Sequence, residues 1–133
     1  MFTHTFNRSW SRAGESIVKS VDVLGGAENN IDESVPSSTT DQLVAFSADV
    51  SQIKGLFIVS SLDVLIQTNS GSAPANTFTL AANVPFLWIT GDAALRDTAG
   101  AAVTSDITAL YVTNEDADTA ATLQIRCLVD PTV

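Results

Sequence analysis

Few residues in this sequence are of types that do chemistry, and their spacing limits what each can do. His4 is the sole histidine. A zinc or iron centre needs several histidines or carboxylates converging on one point, so His4 alone reads as a surface or interface residue. Cys127 is the sole cysteine and falls on the apolar side of an alternating segment. A nucleophilic thiolate needs a histidine or a helix start beside it; neither is near in sequence, and a buried, inert thiol is expected. Glu115-Asp116-Ala117-Asp118 gathers the hard oxygens that calcium prefers, but lacks the glycine and distal glutamate of an EF-hand loop. It reads as a solvated acidic turn. Asp92 and Asp97 are of the type used in pairs for glycoside hydrolysis, yet few polar groups flank them to hold a sugar. Phe6 with Trp10, and Phe86 with Trp88, would suit a sugar-stacking platform, although aromatics at alternate strand positions usually serve a core. There is no Gly-rich phosphate loop, no Ser–His–Asp arrangement and no basic stripe. The residues point away from an enzyme, and no metal or cofactor is expected.

The bulk composition narrows the partners. Fifteen acidic residues against six basic ones give a net charge of −9, and the basic ones are scattered. Neutralising phosphates takes clustered Lys and Arg, so nucleic acid is not an expected partner. Hydrophobic residues make up 45% and charged ones only 16%, so Ser, Thr, Asn and small residues must cover much of the exterior. That balance is common in β-sandwiches and in proteins that work assembled. With one cysteine no intramolecular disulfide can form, and an oxidising compartment is not indicated. Met1 to Phe6 lacks the basic and then apolar pattern of a signal peptide. No apolar run approaches the ~20 residues that a membrane helix needs. The expectation is a protein made in a cytoplasm, with no membrane partner.

The elements that must position these residues are strands. The organising stretch is Asp49 to Asn69, where the apolar run Leu56 to Ser61 is followed by the alternating run Leu62 to Asn69. The two read as adjacent strands joined tightly at Asp63. A weaker echo follows in Asp106 to Asn114 and Ala121 to Val129, and the rest reads as strands laid against these two units. Phe2, His4, Phe6, Arg8 and Trp10 share one face of an alternating N-terminal segment. Ser11 to Glu15 reads as a turn, and Ser16 to Leu24 alternates again. Asp49 can cap a single helical turn. Gly91 to Val103 has no apolar period and reads as a loop that offers a contact surface. At 133 residues the chain suits a single domain, spanning 1–133, with 1–12 as an N-terminal arm or edge strand. The fold class is all-β: a jelly-roll-like antiparallel β-sandwich of about eight to ten short strands. An immunoglobulin-like sandwich and an irregular barrel are the alternatives.

Over roughly residues 49–130 the sequence resembles the small capsid cement, or decoration, proteins of tailed bacteriophages. The residues that carry this are Ile53-Lys54-Gly55-Leu56-Phe57-Ile58, the strand Val64 to Asn69 with its Ser/Gly/Pro loop, Pro85-Phe86-Leu87-Trp88, Ile107 to Asn114, and Leu123 to Asp130. The resemblance implies a structural role on the outer surface of the virion capsid, bridging and stabilising subunits of the major capsid protein. It also implies a homo-oligomer, dimer or trimer. These proteins share no functional motif, so no site residue carries over. The candidate capsid or oligomer contacts are Phe2, Phe6 and Trp10 on the N-terminal strand, with Leu95 and Arg96 in the Gly91 to Val103 loop. The alternative is a receptor- or glycan-binding β-sandwich of a phage tail or fibre.

Overall fold

The alternating segments become ten strands in the computed structural model, which describes residues 2–131. They are β1 (Phe2–Arg12), β2 (Glu15–Gly25), β3 (Ala27–Val35), β4 (Thr39–Val44), β5 (Ile53–Ser60), β6 (Val64–Thr68), β7 (Thr77–Leu80), β8 (Phe86–Ile89), β9 (Leu110–Asn114) and β10 (Ala121–Val129). β1 and β2 form a hairpin of their own, while the other eight form two four-stranded sheets ordered β3-β10-β5-β8 and β4-β9-β6-β7. All the strand pairings are antiparallel. Apart from β6 to β7, each connection from β3 onward crosses from one sheet to the other. This is the jelly-roll arrangement of a β-sandwich, as the strand count led us to expect.

One local expectation fails. β5 and β6 do not form a hairpin but lie in opposite sheets, and so do β9 and β10. β5 pairs with β10, placing Ile58 opposite Ile125, and β6 pairs with β9, placing Ile66 opposite Val112. The two similar units thus supply the central strands of both sheets. A flat hairpin would leave both apolar faces on one surface needing a cover. Crossing at Ser61 to Asp63 turns Ile58 and Ile66 into one shared core instead, where both are buried.

That core joins Leu56, Ile58, Leu123 and Ile125 of one sheet to Val44, Ile66, Phe78 and Val112 of the other. Phe78 meets Phe86 edge to face, with ring centroids 5.1 Å apart and an interplanar angle of 82°, a preferred aromatic geometry. Buried Asn114 ties the strand ends together. Its Nδ2 donates to the carbonyls of Val35, Pro36 and Thr119, and its Oδ1 accepts from the Asp116 amide. As expected, Asp49 caps a single 3-10 turn over Val50–Gln52, its carboxylate accepting from the Ser51 amide.

Candidate functional site

The most unusual part of the molecule is its N-terminal hairpin. Eleven cross-strand pairs run from Phe2↔Gly25 to Arg12↔Glu15, a ribbon of roughly 35 Å at the usual strand rise. Ala13 and Gly14 close it, and Gly14 takes a φ of 80°, a left-handed value that costs glycine little. Directly opposed residues share a face. One face therefore carries His4, Phe6, Arg8 and Trp10 opposite Val23, Val21, Lys19 and Ile17. On the other face Thr5 donates to Asp22 at 2.8 Å and Ser20 to Asn7 at 2.5 Å.

The base of the ribbon is clamped across the outer surface of the β3-β10-β5-β8 sheet. At Gly25 an added Cβ would stand 2.2 Å from Cδ1 of Leu128 on β10. Phe6 lies over Gly55 of β5, and His4 Nε2 pairs with Glu28 at the start of β3. Arg8 then grips Asp92, just past β8, with two hydrogen bonds of 3.1 and 2.7 Å. The Arg8 hydrogen bond holds the Asp92 carboxyl below the usual carboxylate range and raises the Arg8 guanidinium in turn. Val23, Ile89 and Leu128 are buried although they lie outside the main core. Ile89 is paired with Gly55, and Leu128 touches both Gly25 and the Gly55 site, so a small second core forms beneath the hairpin. Burying side chains of this size is worth roughly 1.5–3 kcal/mol each.

From β10 over β5 to the end of β8, the Gly25, Phe6 and Arg8 contacts trace a path across the sheet. Trp10, two residues beyond Arg8, has run out of sheet. It is 66% exposed, and its cross-strand partner Ile17 is 48% exposed. Among the described residues, five of the seven large exposed hydrophobics (Trp10, Ile17, Val18, Val21 and Leu24) belong to this hairpin. The hairpin thus combines a clamped base with an uncovered apolar tip. Sequence reasoning had placed the arm in β1 alone. It missed Ile17 and Val18, although Ala13-Gly14 between two alternating runs was the signal for a hairpin.

The remaining candidates fall as follows. The Phe2 side chain lies outside what the structure describes. Phe6 is half-buried over Gly55. Leu95 is turned into the core, while Arg96 is exposed and donates to the Gly100 carbonyl at 2.9 Å. The loop that carries them is wound around Asp97. Asp97 Oδ2 accepts from the Asn76 side chain and the Thr77 amide, and Oδ1 accepts from the amides of Ala99 and Ala101. Burial pushes this carboxyl up, but those hydrogen bonds outweigh it and leave the group below its ordinary value. Asp92 and Asp97 are thus committed to different partners. Cys127 is buried, and burial pushes its thiol up to about 12. Asp116 accepts from the amides of Asp118 and Thr119, which makes the acidic segment a self-bonded turn. Among the described residues no three His, Cys, Asp or Glu side chains gather as a metal site. Phe86 and Trp88 pack against the core, and Trp88 Nε1 donates to the Ala93 carbonyl at 2.8 Å. Comparison of the chain with protein-family models, with curated proteins and with solved structures returns no match.

Proposed function

We propose that this chain is a structural subunit that decorates the outer surface of a phage head, and that its N-terminal hairpin is the element by which it docks into that assembly. The observation that carries the reading is the Trp10–Ile17 pair, held in the open at the tip of a hairpin whose base is clamped. Rigid aromatic anchors projecting from a packed scaffold are the usual centres of binding energy. The jelly-roll body supplies the scaffold, and the resemblance over residues 49–130 names the partner, the major capsid protein. On this reading the protein is made in the host cytoplasm and acts on the virion, catalyses nothing and needs no cofactor. Many identical weak attachments on one shell would add through multivalency.

The test uses purified heads that lack the protein, assembled from the major capsid protein encoded with it. Saturable co-sedimentation at a fixed number of copies per shell is expected, together with greater resistance of the shell to heat. Failure to bind heads at any concentration would contradict the reading.

A further inference from the structure

The tip of the hairpin has a complementary surface on its own chain, at a place it cannot reach. An open groove of about 800 Å³ lies where the start of β6 and the ends of β7 and β9 come together. Half-buried Leu62 and Leu65, with Ala82, give it an apolar floor, and exposed Asp63, Glu115 and Asp116 give it an acidic rim. The hairpin is anchored at the Gly55 end of β5, whereas the groove opens beyond Ser60 at the opposite end. The Arg8–Asp92 clamp also directs the tip outward past β8.

Charge sorts the two surfaces. Three of the six basic residues, Arg8, Arg12 and Lys19, lie on the hairpin, with only Glu15 and Asp22 of the fifteen acidic ones. The hairpin therefore carries +1 and the rest of the chain −10. Among the described residues Lys19, on the face of Trp10 and Ile17, has no ion-pair partner, and neither does Glu115 on the groove rim.

We infer that the groove of one copy receives the hairpin tip of a second copy, with Trp10 and Ile17 on the apolar floor and Lys19 against the acidic rim. The inference rests on reading the hairpin as the element that docks the chain into the assembly, and it names a neighbouring copy within that assembly, rather than the capsid protein itself, as the surface that the tip meets. Because tip and groove lie at opposite ends, the contact is head to tail and closes into a ring when the rotation allows. The apolar pair supplies affinity and the charges set the register. Such a ring would reach the shell through several copies at once and gain in avidity.

Sedimentation velocity on the full chain, over a dilution series from its solubility limit, tests this directly. A concentration-dependent oligomer is expected. Trp10→Ala should weaken it by roughly thirtyfold or more, as loss of an interface anchor does. Lys19→Glu and Glu115→Lys should each weaken it by roughly fivefold, and the combination of both should restore it. At a dilution where the parent is monomeric, thermal melts of all variants should match that of the parent, since each position is exposed. A chain that is monomeric at every concentration overturns the inference, as does an oligomer indifferent to Trp10→Ala or a charge reversal that is not rescued. If the monomer still needs Trp10 to bind heads, the self-contact is wrong while the proposed function stands. If it binds no heads at all, both fall.

Discussion

Phe6 lies so close over Gly55 that a Cβ on residue 55 would stand 2.9 Å from the Phe6 ring tip. The contact sets how near the N-terminal hairpin can come to the sheet, because only a residue without a side chain admits the ring there. It also makes a separable joint, since neither residue belongs to the main core between the two sheets.

Gly55→Ala should therefore lift the base of the hairpin while sparing the sandwich. Overpacking at such a contact costs roughly 1–3 kcal/mol. Faster amide exchange in β1 and β2 is expected, with protection in β6 and β9 retained. Equal loss of protection in all strands would show that hairpin and body are a single cooperative unit.

Asp97 should be the acid-sensitive element of the 91–103 loop. Its carboxyl titrates below the ordinary value in the folded state, so its stabilisation is present above the unfolded carboxylate pKa of about 3.9. It is lost as the pH falls through the lower, folded value. Asp97→Asn turns an amide group toward donors on one side of the loop and should cost about 2–4 kcal/mol at neutral pH. The gap between variant and parent melts should narrow below about pH 4. A gap that stays constant down to pH 2 would mean that the charge on Asp97 is immaterial to the loop.

Cys127 is buried between strands, and its thiol is pushed up to about 12 from 9.0. The folded state thus holds this proton where the unfolded chain releases it. Stability conferred by the buried thiol is full below the unfolded value and declines as the pH rises toward the folded one. Native labelling by a thiol reagent should track unfolding. Cys127→Ser should cost roughly 1–3 kcal/mol by burying a hydroxyl in an apolar site. Rapid labelling of the folded protein would contradict this.

The period of the strands was legible because burial alternates along them, most plainly in β10, where Leu123, Ile125 and Cys127 are buried and Gln124 and Arg126 exposed. Which strand pairs with which was not. The three residues from Ser61 to Asp63 are short enough for a hairpin and equally able to cross a sandwich, and Ile58 and Ile66 each take one partner, Ile125 and Val112, from more than forty residues away in sequence. The loop residue Leu95 was read as surface because 91–103 shows no period. Asp97 imposes an order there that no period records: it gathers the amides of Ala99 and Ala101 and lets the Val103 amide donate to the Leu95 carbonyl at 2.9 Å. In the hairpin, the aromatic face was legible, but its division into a clamped base and an open tip depends on where the sheet beneath it ends.

The most direct test of the account compares the full-length protein with its Trp10→Ala variant for binding to purified heads. Trp10 is already exposed in the free chain, so the variant should melt within about 0.5 kcal/mol of the parent. Its affinity for heads should fall by roughly thirtyfold or more, the loss expected when an interface anchor is truncated. A variant that binds heads as tightly as the parent would contradict the claim that the hairpin tip is the docking element.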